Sequence, residues 1–178
     1  MTEDDAILLS DDEGRSVLRF ERRLPHSTAR VWRALTERPD LVRWHPTPFT
    51  FQPSVGGRVT FHPELGGPEM PPGEVLAYEP GRILAYTWGE DVLRFELAEE
   101  PPGCVLVLTH SFHDRFKAAR DGAGWHLCLA ALRSLLDGSP AAGGSEGERL
   151  PRGWEELNER YEANFGIPHE LATPPPSQ

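Results

Sequence analysis

Histidines, carboxylates and cysteines are the side chains here that could hold a metal, move a proton or attack a substrate, and their spacing limits which of these is open. His45, His62, His110, His113 and His126 are the histidines of interest. A zinc site needs three or four ligands converging in tetrahedral geometry, usually announced by short fixed spacings, and these five form no such set. His110 and His113 come nearest, but at that separation on a strand end the two rings fall on opposite faces. No metal is expected. His110 is read either as a structurally bonded histidine or as a polar group at a pocket mouth, bonding a ligand carbonyl or shuttling a proton. His126 falls at the flank of an apolar helix face, a rim position.

The remaining chemistry is sparse. Glu74, Glu79, Glu90, Asp91, Glu96, Glu99 and Glu100 mostly fall at turns or on the polar phase of strands, where solvated charge is the ordinary outcome. Gly56-Gly57 and Gly66-Gly67 lack the spacing and the following helix of a phosphate-binding loop. There is no Gly-x-Ser-x-Gly elbow and no nucleophile beside an evident base. Cys104 and Cys128 are the only cysteines, both in apolar contexts and outside any C-x-x-C pair, and read as buried free thiols. No catalytic residue and no cofactor are assigned.

Binding offers more than catalysis. Trp44, Phe51, Phe61, Trp88, Phe95 and Trp125, with Leu129 and the polar His110, are the candidate ligand-binding residues. A small-molecule site needs apolar walls for affinity and a few polar groups for orientation. Aromatic residues also fill ordinary cores, so each of these residues has a plain packing role open to it.

These residues must be positioned by elements that the pattern predicts. Trp125, Cys128, Leu129, Leu132, Leu135 and Leu136 share one face of a helix opened by Gly122 and Gly124 and ending at Asp137-Gly138. Leu18 and Phe20 alternate with Arg19, Glu21 and Arg23 in a first strand over residues 17–24. Ser27 caps a short helix carrying Val31, Trp32 and Leu35, and Pro39 starts a second with Leu41, Val42 and Trp44. Extended segments follow at Phe49 to Gln52, Val59 to Phe61, Glu74 to Tyr78, Arg82 to Trp88, Val92 to Leu97 and Cys104 to His110, with turns between them. The result is an α+β chain of about six or seven antiparallel strands, with two short helices after the first strand and a long helix after the last. The long helix needs its apolar face covered, and the sheet is the partner available.

Domain organisation follows the same pattern. Residues 1–14 read as a flexible acidic tail with an edge strand around Ile7 to Leu9, and 15–138 as a single domain. Residues 139–153 form a linker, 154–166 an amphipathic helix striped by Trp154, Leu157, Tyr161 and Phe165, and 167–178 a disordered tail. A formal net charge of −10 over 178 residues excludes a basic surface for nucleic acid or anionic membranes. No run approaches a membrane span and the acidic start is no secretion signal, so a cytoplasmic location is expected.

Several motifs together carry a family resemblance: Val31-Trp32-Arg33-Ala34-Leu35-Thr36, Leu41-Val42-Arg43-Trp44, Val55-Gly56-Gly57, Gly73-Glu74-Val75, Leu84-Ala85-Tyr86-Thr87-Trp88, Leu108-Thr109-His110, and Gly124-Trp125 followed by Leu129 and Leu132. In this order they resemble the START-like, or SRPBCC, superfamily, and within it the family related to the activator of the heat-shock-protein-90 ATPase. The resemblance implies a helix-grip fold, a strongly bent antiparallel sheet around a C-terminal helix with an apolar cavity between them. It also implies an apolar or lipid-like small molecule as the partner, as for most of the superfamily. The alternatives are a chaperone-related or regulatory interaction module, acting through a protein partner or as a homodimer, and a cofactor-independent cyclase- or aromatase-like enzyme. Residues 1–14 are too short for the chaperone-binding domain of eukaryotic activators, so direct chaperone activation is not expected.

Overall fold

Alternating apolar residues build one eight-stranded antiparallel sheet, and a helix of 19 residues lies across its inner face. The computed structural model describes residues 4–65, 67–139 and 153–172. Most of the expected linker, the end of the expected C-terminal tail and the first three residues lie outside the described residues.

The strands are β1 (Ile7–Ser10), β2 (Ser16–Leu24), β3 (Phe49–Phe51), β4 (Arg58–Phe61), β5 (Gly73–Glu79), β6 (Ile83–Trp88), β7 (Asp91–Glu100) and β8 (Gly103–Phe112). Their order in the sheet is β1-β2-β8-β7-β6-β5-β4-β3. The meander from β3 to β8 is thus closed on one side by β2, whose residues 16–24 pair with 104–112 of β8. The helices are α1 (Thr28–Thr36), α2 (Arg38–Leu41), α3 (Ala118–Leu136) and α4 (Trp154–Phe165). Ser27 caps α1 by accepting the Arg30 N–H at 3.2 Å, and Pro39 lies in the first turn of α2.

Register places the apolar phase of each strand on one face. Across the sheet, Leu18 meets His110, which meets Leu93, then Tyr86, then Val75; the next row runs Phe20, Leu108, Phe95, Leu84, Tyr78. Leu18, Phe20, Leu84, Tyr86, Leu93, Phe95 and Leu108 are all buried, as are Trp125, Leu129, Leu132 and Leu135 of α3 above them. Burying each such side chain contributes about 1.5–3 kcal/mol before entropy is set against it.

The structure departs from the sequence pattern in three places. First, the edge strand expected around Ile7 to Leu9 is β1, paired in register with β2, but the chain before it is anchored too: residues 5 and 6 are buried. Second, α3 begins at Ala118, four residues before Gly122, and both glycines lie inside the helix. Gly122 is there because the Tyr161 ring of α4 packs on it: a Cβ would lie 3.3 Å from that ring. Third, the α4 stripe is no free surface. Trp154, Tyr161 and Phe165 are buried, and α4 packs on α3.

Candidate functional site

The inner face of the sheet and α3 enclose a network of aromatic rings. Trp125 reaches it from the buried face of α3, and its ring lies 6.4 Å from Phe95, 5.8 Å from Trp88 and 5.5 Å from His45. Phe95 in turn lies 6.1 Å from Trp44 and 6.4 Å from Tyr86. Phe49 stands 4.7 Å from Tyr86, 6.4 Å from Phe61 and 6.0 Å from Phe51. From Phe51 the chain of rings continues to the half-buried Tyr78 and Trp32. All six candidate aromatic residues therefore belong to one network, and Leu129 follows Trp125 by one turn on the buried face of α3. Phe51 and Trp88 are half-buried and lie at its margins; the others are buried.

Two histidines sit among these rings. His110 is completely buried, not at a rim, because β8 is a central strand with β2 on one side and β7 on the other. Its Nδ1 accepts the Trp125 indole N–H at 3.1 Å. Its proton therefore lies on Nε2, which donates to Asp91 Oδ2 at 2.8 Å. Asp91 arrives there through the tight β6–β7 hairpin, in which Gly89 takes a positive φ of 63° and Trp88 pairs with Asp91 across the turn. Burial acts to raise the Asp91 carboxyl, but hydrogen bonds from His110 and Lys117 outweigh it and hold the pKa below the usual value.

Asp91, His110 and Asp121 could each offer a ligand atom within 4.8 Å of the others. Lys117 already supplies the positive charge, paired with Asp91 and lying 3.7 Å from Asp121. The cluster is an ammonium–carboxylate clamp tying the start of α3 to β7.

His45, at the end of the turn after α2, is the second histidine. Its Nδ1 accepts the Thr47 N–H at 3.1 Å, and its Nε2 lies 3.0 Å from the Tyr86 hydroxyl. Burial lowers its pKa to about 3, so it is neutral at physiological pH. The same burial holds the Tyr86 hydroxyl well above its usual pKa. Thr47 completes the polar set: its Oγ1 accepts the Trp88 indole N–H at 3.3 Å. The interior is therefore aromatic, uncharged apart from the Asp91 clamp at its edge, and threaded by hydroxyl and imidazole groups.

Phe49, Tyr86 and Thr47 were not among the sequence candidates, and His45 and Asp91 were weighed only as metal-ligating or acid–base groups, not as ligand-binding residues. Phe49 shares its phase with Phe51, Tyr86 with Trp88, and Asp91 with Leu93 and Phe95, so strand alternation alone could have found three of them. His45 and Thr47 lie in a loop, and no periodicity marks them.

A curved antiparallel sheet gripping a long C-terminal helix over an aromatic interior defines the helix-grip class of α+β proteins. The chain belongs to the family described as activator of Hsp90 ATPase homolog 1-like protein, whose model matches residues 25–137. Solved structures agree on the fold. A conserved protein of unknown function from Enterococcus faecalis is 21% identical, with a TM-score of 0.69 over 94% of this chain and 92% of that one. CalU16 from Micromonospora echinospora is 22% identical, with a TM-score of 0.69 over 90% of this chain and 95% of that one. A protein from Mesorhizobium loti is 29% identical, with a TM-score of 0.60 over 70% of this chain and 98% of that one. No curated protein matches the sequence. No helix among the described residues is long and apolar enough to cross a membrane.

Proposed function

We propose that this chain binds an apolar small molecule between α3 and the inner face of the sheet, in contact with Trp44, Phe51, Phe61, Trp88, Phe95, Trp125 and Leu129. The observation that carries this reading is the composition of the interior: a continuous ring network with a few uncharged polar groups inside it, the combination that gives affinity by burial and orientation by hydrogen bonding. His110 acts in it through Trp125, whose indole it holds.

The two other readings have less behind them. An enzyme of this architecture needs an inward group free to take or give a proton. Both nitrogens of His110 and both of His45 already have partners within the protein, which argues against either as a general base. A chaperone-related or regulatory interaction module rests on the family description, and of the two surfaces that could serve it, the sheet surface and the apolar stripe of α4, the stripe is turned against α3.

Titration with an apolar fluorescent dye tests the reading. Wild-type protein should bind the dye saturably, and Trp125→Ala should weaken binding while far-ultraviolet circular dichroism stays unchanged. A wild-type protein that binds no dye, with no co-purified molecule in native mass spectrometry, contradicts it.

A further inference from the structure

The hydrogen-bond count at Tyr86 does not close. A neutral imidazole carries one proton, and His45 Nδ1 is an acceptor because the Thr47 backbone N–H points at it at 3.1 Å. The His45 proton must then be on Nε2, which donates to Tyr86 Oη at 3.0 Å. Tyr86 is therefore the acceptor in this pair, and its own hydroxyl proton is uncommitted. Among the described residues His45 is the only hydrogen-bond partner of this hydroxyl, and Tyr86 is completely buried. The rings around it, Phe49 at 4.7 Å and Phe61 and Phe95 at 6.4 Å, offer no oxygen or nitrogen to take that proton. A buried donor left without an acceptor costs free energy that an apolar side chain of the same shape would avoid.

We propose that the Tyr86 hydroxyl is the polar anchor of the site, donating its proton to a neutral acceptor oxygen, a carbonyl, on an otherwise apolar ligand. This rests on the reading that the interior takes a small molecule, and it specifies the class. A neutral acceptor fits better than an anion. A carboxylate or phosphate buried here would need a cation, and His45 is held neutral while Lys117 is engaged by Asp91 and Asp121. An arene is the natural body of the ligand, since the walls at this point are faces and edges of rings. His45 is a positioning residue: by giving its Nε2 proton to Tyr86 it occupies one lone pair and leaves the hydroxyl hydrogen for the ligand.

The test uses the full chain with three probes: acetylnaphthalene, which is a neutral arene ketone; ethylnaphthalene, its carbonyl-free counterpart; and naphthoate, the anion. The ketone should bind more tightly than naphthoate. Tyr86→Phe should weaken ketone binding about five- to tenfold, the worth of one hydrogen bond, and leave ethylnaphthalene binding unchanged. The carbonyl stretch of the bound ketone should fall below its frequency in hexane for wild type and not for the variant. The wild-type stretch alone decides the matter if Tyr86→Phe does not fold. Should both arenes bind wild type with no red shift and no selective loss in Tyr86→Phe, an internal water takes the proton; the anchor is then overturned while the small-molecule reading stands. If neither arene binds wild type, the small-molecule reading fails and the anchor with it.

Discussion

Two tyrosine–histidine pairs in this molecule, each built on a buried tyrosine, end differently. Where α4 meets the N-terminal segment, Tyr161 Oη accepts the Ala6 N–H at 3.0 Å and lies 3.0 Å from His126 Nδ1. The Ala6 N–H occupies the acceptor there and a ring nitrogen stands within reach of the hydroxyl proton, and charged groups surround them: Arg160 pairs with Asp5, and Arg22 lies 3.4 Å from Asp4. In the interior, Tyr86 accepts from His45 among rings and keeps a proton to give. Burial raises both hydroxyls, Tyr161 to about 12 and Tyr86 well above its usual value, so both stay protonated. The closed pair is a clamp, stitching residues 5 and 6 to α4. The open pair is what a binding interior requires, an oriented donor in an apolar wall.

Substitution should separate the two regions. The largest effect is expected from Trp125→Ala, which removes the ring joining Trp88, His45 and Phe95 and leaves His110 Nδ1 without its donor; denaturant unfolding should show a loss of about 3–5 kcal/mol. Acid comes next. His45 has a folded pKa of about 3 against an ordinary 6.5, so the unfolded chain takes up the proton first, and stability present above 6.5 is lost as pH falls towards 3. Between pH 6 and 4 wild type should lose roughly 2–3 kcal/mol by this route, at about 1.4 kcal/mol per unit. His126, lowered by burial and by Arg22 and Arg160, adds in the same direction. His45→Asn, whose side-chain oxygen can still accept from Thr47, should flatten most of that slope in urea unfolding at a series of pH values.

On the clamp side, Gly122→Val should cost about 1–3 kcal/mol, because the added side chain meets the Tyr161 ring, which is fully buried. Tyr161→Phe should cost about 1–2 kcal/mol by orphaning the Ala6 N–H, again read by denaturant unfolding. Neither change should alter arene affinity. If Tyr161→Phe weakens binding as much as Tyr86→Phe does, the contrast between the two pairs collapses.

How far these regions could be read from sequence follows from the range of the contacts involved. Strands show themselves locally, since Leu18 and Phe20 or Val59 and Phe61 repeat every second residue, and the buried face of α3 shows in Trp125, Leu129 and Leu132. The family motifs then indicate that this sheet grips this helix. What escapes is set by partners distant in the chain. His45 and Tyr86 are 41 residues apart, and Ala6 and Tyr161 are 155 apart. The true start of α3 was hidden because glycine normally marks a helix end, whereas Gly122 is set by the ring of another helix. Arg22 occupies the apolar phase of β2 and is nonetheless buried, stacked on Phe20 with its guanidinium 5.5 Å from the ring centre and near Asp4.

The indole N–H signals of the five tryptophans offer the most direct measurement, since Trp44, Trp88 and Trp125 belong to the interior and Trp154 to α4. On NMR titration with acetylnaphthalene, the signals of Trp88 and Trp125 should shift together and saturate, with Trp44 following, while Trp154 stays in place. Movement of Trp154 alone, or no saturable shift at Trp88 and Trp125, would contradict a binding interior between α3 and the sheet.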